Sequence, residues 1–137
     1  VARRIRPALE RGEVVICDRF VDSSVAYQGA GRGLGTERVL ELNRWAVQGL
    51  VPELTVLLDV DQTTAEARRR ERAVVTDRME SEARAFHDAV NAAFRELAAQ
   101  APSRYLVLDA SAPAAELTDA IVDRVTGILA ERTEVSA

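Results

Sequence analysis

Residues 15–33 read VICDRFVDSSVAYQGAGRG, an apolar run that ends in Asp18-Arg19 and passes directly into serines, a tyrosine and alternating glycines. A segment that only had to pack would have little use for that composition. The apolar part, Val14 to Cys17, is short and continuous, the pattern of a buried strand. Such a strand would deliver to its open end an acid that can face a metal or a hydrogen-bond donor, beside a planar guanidinium that matches a phosphate. An ion pair capping the strand would use the same two residues, and on these two alone neither reading wins. Ser23, Ser24, Tyr27 and Gln28 follow within a turn or two. They supply hydroxyls, an aromatic face and an amide that could read a sugar and a base, although each singly would also suit a capped helix start.

The glycines of GAGRGLG invite a dinucleotide-binding reading, which fails because that fingerprint must follow its strand directly and open a helix. Here about a dozen residues separate Cys17 from Gly29. The glycines are read instead as letting a loop bend sharply beside a ligand, with Arg32 solvated.

Outward from this stretch the chain alternates. Val1 to Arg11 reads as the end of a helix closing near Gly12. Glu37 to Gln48 reads as a helix with Val39, Leu42 and Ala46 on one face, Thr36 as its N-cap, and Gly49 and Pro52 at its close. Leu54 to Leu58 reads as a second strand, and Thr63 with Glu66 makes a capping-box pattern opening an arginine-rich helix. Phe86, Val90, Ala93, Phe94, Leu97 and Ala101 keep helical spacing up to Pro102. Tyr105 to Leu108 reads as a third strand. Leu117, Ile121, Val125 and Ile128 line a last helix, whose approach Ser111 and Pro113 mark. Strands alternating with helices predict an α/β fold with a parallel sheet and flanking helices. Ligands of such sheets bind beyond the strands' carboxyl ends, where Asp18-Arg19, Asp59, and Asp109 with Ser111 fall.

Composition narrows the function. The chain has 137 residues and a net charge of −4, which argues against a surface that tracks nucleic acid phosphates. No apolar run is long enough to span a membrane and no leader pattern opens the chain, so a cytoplasmic protein of one domain is expected. The one cysteine, Cys17, is read as a small buried hydrophobe, and the one tryptophan, Trp45, as a packing residue. The single histidine, His87, is read as a surface or boundary residue and Met79 as a hinge or packing residue. All 18 basic residues are arginine, so no role that needs a lysine can be filled within this chain. Arg68, Arg70, Arg72 and Arg78 crowd a segment with little apolar periodicity. Like charges so dense suit either a mobile flap that closes over phosphates or a solvated helix laced with pairs such as Glu66 with Arg70.

The ordered blocks PALERGEVVICDRFVDSSVAYQGAGRG, PELTVLLDV, the arginine segment ending in DRME, and YLVLDAS together resemble bacterial thymidylate kinases. The resemblance implies a nucleoside monophosphate kinase fold of the P-loop type, and transfer of the terminal phosphoryl group of ATP to dTMP with Mg2+. Arg19 is similar to the arginine that grips the acceptor phosphate, with Asp18 supporting the phosphate and metal region. Ser23 and Ser24 match acceptor-contacting positions. Tyr27 resembles the aromatic residue packed on the deoxyribose, where it would crowd a 2′-hydroxyl, and Gln28 adjoins it. Arg68, Arg70, Arg72 and Arg78 are similar to the lid arginines of residues 67–82, the segment resembling the form of the family that keeps its catalytic arginine in the lid rather than the P-loop, so these four are the expected catalytic residues; Ala110, Ser111 and Ala112 match the loop near adenine. A homodimer is implied by the resemblance alone.

The match lacks one part. No G-x-x-x-x-G-K-[ST] loop, whose amides, lysine and hydroxyl hold the phosphates and metal, occurs in the chain. In the family that loop and the central first strand lie ahead of the region matched here. The expectation is therefore a partial domain, the carboxyl-terminal two-thirds of such a kinase, with two strand edges left unpaired, neither well folded nor active alone. The rival readings are another deoxynucleotide or nucleoside kinase of the same fold, and a non-catalytic module that binds a nucleotide or docks a partner through the Glu37 to Leu50 helix.

Overall fold

The computed structural model describes residues 1–61, 63, 64, 67 and 79–135. In chain order the elements are α1 (Ile5–Glu10), α2 (Val21–Ser24), a π-helical segment (Val25–Gly31), α3 (Thr36–Ala46), β1 (Thr55–Asp59), α4 (Met79–Gln100), β2 (Tyr105–Asp109) and α5 (Ala114–Val135). They fall into two compact units, Val1–Val51 with Arg78–Leu97, and Pro52–Asp77 with Ala98–Ala137.

The second unit carries the sheet. β1 and β2 pair in parallel, from Thr55 opposite Tyr105 to Asp59 opposite Asp109. Parallel neighbours need a crossover connection, so two apolar runs separated by a long helix meet in register. Arg104 fastens the start of the sheet: its carbonyl accepts the Thr55 N–H at 2.8 Å and its guanidinium donates to Thr55 Oγ1 at 2.9 Å. α5 packs on β2 and half-buries Leu117, Ile121, Val125 and Ile128, the stripe its spacing predicted. At the sheet's carboxyl end, Asp61 accepts the Thr64 N–H at 2.9 Å. This N-cap lies two residues ahead of the Thr63 that the capping-box pattern selects, and Glu66 lies outside the described residues.

The first unit has two small cores. Val21, Val25, Val39 and Val47 form one, with Phe20, Leu40, Leu50 and Leu97 around it. Ala26, Val90 and Ala93 form the other, with Tyr27, Phe86 and Phe94 beside it. Gly31 draws α4 against the π-helical segment: a Cβ there would stand 2.6 Å from Phe86 Cε2 and 2.8 Å from Val90 Cγ2.

α3 begins one residue earlier than expected, with Gly35 as N-cap and Thr36 as its first residue. Its apolar positions cover a wide arc, and the core takes only the side holding Val39, Leu40 and Val47. Leu42 and Ala46, expected on the buried face, are exposed, and Trp45, read as a packing residue, is 80% exposed. The helix closes in a Schellman turn, Gly49 N–H to Arg44 O at 2.9 Å and Gln48 N–H to Trp45 O at 3.1 Å, with Gln48 at φ 53° in the left-handed position. Arg6 completes this end by donating to the carbonyls of Val47 at 3.2 Å and Gln48 at 2.7 Å.

The stretch from Val14 to Cys17 departs from its reading. It is unpaired, and among the described residues only β1 and β2 form a ladder. Val14 is 60% and Ile16 94% exposed, and Cys17 is exposed rather than buried. Apolar content gives a segment strand propensity but not a neighbour, and the ladder that would bury this run is absent.

Candidate functional site

Asp18 and Arg19 stand on an exposed bend, not at the mouth of a buried strand. Arg19 adopts φ 65°, a left-handed conformation that costs a non-glycine residue about 1–2 kcal/mol. Such strain persists where surrounding contacts enforce it, commonly at ligand sites. Cys17 Sγ donates to the Arg19 carbonyl at 3.3 Å, and the guanidinium carbon lies 5.0 Å from the centre of the Tyr27 ring. At an exposed site such a cation–π contact is worth ~0.5–1 kcal/mol. The capping ion pair is not formed: the cation rests on an aromatic face, and Asp18 pairs with no described residue.

Phe20 opens α2 without a side-chain cap, and α2 runs straight into the π-helical segment. The wide turn shows in its closing bond, Arg32 N–H to Tyr27 O at 3.1 Å, five residues back. Turns of this kind recur at functional sites. Here the turn sets Ser23, Ser24, Tyr27 and Gln28 on one continuous piece of backbone directly after Arg19. Ser23, Ser24 and Tyr27 are half-buried and Gln28 is exposed. Among the described residues, none of these four side chains has a hydrogen-bond partner.

The loop beyond Gly29 folds back on it: Gly35 N–H reaches Gly29 O at 3.1 Å, and a Cβ on Gly29 would meet Thr36 Cα at 2.9 Å. At least two glycines of GAGRGLG, Gly29 and Gly31, thus serve close packing. Arg32 is exposed, as expected, but its guanidinium lies 5.8 Å over the Phe86 ring. Two aromatics that the helical spacing marks only as core flank Tyr27: Phe86 at 6.0 Å and 61°, and Phe94 at 6.3 Å and 75°. No local motif marks them as site neighbours. His87, half-buried with its ring 5.4 Å from Phe86, is a boundary residue as read.

In the second unit, β1 and β2 end at the facing pair Asp59 and Asp109, and the loop after β2 holds Ala110, Ser111 and Ala112. Asp109 shapes that loop: its Oδ1 accepts the Ser111 N–H at 2.8 Å and the Ser111 hydroxyl at 2.7 Å, while its carbonyl accepts the Ala112 N–H at 3.0 Å. The Ser111 hydroxyl is therefore engaged within the chain. Asp61 is held below the ordinary carboxylate value, first by the Thr64 hydroxyl and then by the Thr64 N–H, with smaller help from Thr63. Arg68, Arg70, Arg72 and Arg78 lie outside the described residues. Among the described residues no group of three or more His, Cys, Asp or Glu could hold a metal ion, and no helix is long and apolar enough to cross a membrane.

Two parallel strands flanked by helices, with polar loops beyond the strand ends, are the pattern of an α/β protein and agree with a nucleotide kinase fold. The thymidylate kinase family matches residues 1–121. The thymidylate kinase of Leifsonia xyli subsp. xyli is 54% identical over 127 residues, covering 93% of this chain and 60% of the relative. Those of Clavibacter michiganensis subsp. michiganensis and Thermomicrobium roseum are 51% and 48% identical, each over 92% of this chain and 60% of the relative. The chain belongs to the thymidylate kinase family, and it spans about 60% of the length of the curated relatives it matches.

Proposed function

We propose that residues 1–137 supply the acceptor-binding, lid and adenine-facing portions of a dTMP kinase, which transfers the terminal phosphoryl group of ATP to dTMP and yields dTDP. One observation carries the reading: a strained, exposed arginine lies over the face of a tyrosine, in the same stretch of backbone as two hydroxyls and an amide. A 5′-nucleotide needs this combination, a cation for its phosphate next to an apolar face for its sugar.

In this reading Arg19 binds the acceptor phosphate through its planar fork and offsets its charge, with Asp18 beside it. Tyr27 packs against the deoxyribose, and Ser23, Ser24 and Gln28 hydrogen-bond the acceptor. Phosphoryl transfer is largely positioning and charge stabilisation. Arg68, Arg70, Arg72 and Arg78 of the 67–82 lid, which resemble the lid arginines of the family, bring positive charge to the transferring group. Ala110, Ser111 and Ala112 face adenine on a loop that Asp109 holds in shape. The co-substrate is ATP, used with Mg2+. The enzyme works in the cytoplasm as a homodimer, and its ligands are nucleotides, not nucleic acid polymers or membranes.

The test is steady-state kinetics of the whole protein with MgATP and dTMP, against dUMP and dCMP. Arg19→Met is expected to raise the KM for dTMP roughly 10- to 100-fold, the loss of a charge-assisted hydrogen-bonded pair, and to leave the KM for ATP unchanged. Unaltered dTMP kinetics in that variant would refute the assignment. Faster turnover of another acceptor would replace dTMP with that nucleotide.

A further inference from the structure

We propose that Phe86 and Phe94 of α4 are positioning residues for Tyr27, and that the ring orientation they impose sets the preference of the acceptor site for a deoxy sugar. The inference rests on the reading of Tyr27 as the sugar contact.

The ring torsion of a tyrosine is broad and roughly two-fold. An aromatic face can turn away a 2′-hydroxyl only if it is held against C2′, since a ring free to rotate would make room for the hydroxyl. Tyr27 is not left free. Phe86 and Phe94, two turns apart on α4, meet its ring at 61° and 75° with centres 6.0 and 6.3 Å away, edge-to-face arrangements that aromatic quadrupoles favour. Arg19 lies over the ring at 5.0 Å.

The holders are themselves held. Phe86 fills the space left by the missing side chain of Gly31, Arg32 covers its ring at 5.8 Å, and His87 abuts it at 5.4 Å. Beneath them Val90 and Ala93 are buried with Ala26 in the small core of this unit. Three aromatic rings and a glycine contact thus form one packed block, and its exposed product is the orientation of a single tyrosine face.

A site that rejects an added hydroxyl by crowding alone reaches a discrimination of about 100-fold, which sets the range of the experiment. The ratio of kcat/KM for dTMP to that for ribothymidine monophosphate is measured on the whole protein and its Phe86→Leu, Phe94→Leu and Phe94→Tyr variants. Each leucine variant should lower the ratio at least five-fold, whereas Phe94→Tyr should keep it. A purely structural role would slow both substrates alike and leave the ratio in place. Ratios unchanged in both leucine variants would overturn the proposal.

Tyr27→Leu separates the two levels. If it leaves the ratio intact, the sugar reading itself falls and the proposal with it; if it collapses the ratio and the leucine variants do not, only the positioning role falls. One readout needs no substitution. With the Tyr27 ring protons assigned in the whole protein, their nuclear Overhauser contacts to both phenylalanine rings should persist when dTMP is bound. Loss of those contacts on binding would also overturn the proposal.

Discussion

Gly31→Ala places one methyl group where α4 and the π-helical segment touch. The new Cβ would lie 2.6 Å from Phe86 Cε2, 2.8 Å from Val90 Cγ2 and 3.0 Å from Phe86 Cδ2, against ordinary carbon–carbon contacts of about 3.5–4.0 Å. The Phe86 ring can swing, but Val90 is only 2% exposed and has nowhere to go. Overpacking of this kind costs ~1–3 kcal/mol. The φ of Gly31 is not in the positive range, so alanine also returns ~0.4–1 kcal/mol by restricting the unfolded chain. The net expectation is a loss of about 1–2 kcal/mol, or a fall in Tm of roughly 3–10 °C for a chain of this size. Calorimetry or thermal circular dichroism reads it. Gly127→Ala is the control: nothing lies within 4 Å of its Cβ, and it sits inside α5, so it should raise stability by about 0.5–1 kcal/mol. A Gly31→Ala melting point equal to or above that of the parent, with Gly127→Ala behaving as expected, would refute the packing described for the first unit.

Arg6→Met removes the donors to the Val47 and Gln48 carbonyls but also a buried Nε that has no hydrogen-bond partner. A charge-assisted contribution of ~1.5–3 kcal/mol offset by ~1 kcal/mol of relieved desolvation leaves a net destabilisation of about 1 kcal/mol, measured by urea unfolding. Gln48→Gly relaxes the left-handed residue of the α3 Schellman turn and should stabilise by about 0.5–1 kcal/mol, seen as a higher Tm. Asp61, depressed by its bonds from Thr64 and Thr63, favours the folded state above its ordinary value of 3.8, and that contribution disappears as pH falls through its lower folded value. Carboxyl NMR should show Asp61 titrating below 3.8, and Asp61→Asn should remove its part of the acid loss of stability.

The parallel sheet was legible because its strands are short apolar runs bounded by breakers. β1 and β2 each fall within a residue of the expected bounds, Thr55–Asp59 and Tyr105–Asp109. The long spacing of Phe86, Val90, Ala93, Phe94 and Leu97 likewise marked α4. Val14 to Cys17 has an equally good strand pattern but, among the described residues, no ladder partner, in keeping with the unpaired edges expected of a partial domain; its exposure is what the apolar pattern did not record. α3 misled because its apolar arc is wider than the face it buries, so periodicity alone could not choose between the Val47 side and the Leu42 side. In the site, Arg19 and Tyr27 stood out by type and spacing. The π-helical turn did not, since five-residue closure has no side-chain signature, and Phe86 and Phe94 share the spacing of core residues, so only their edge-to-face contacts with the Tyr27 ring mark them.

Ile16 is 94% exposed in a run that has no ladder partner among the described residues. Open backbone amides and carbonyls next to branched side chains offer a template for cross-chain β pairing. If these 137 residues are expressed by themselves, pairing between copies at residues 14–17 is the expected route to precipitation, and a lysine or proline placed there should reduce it.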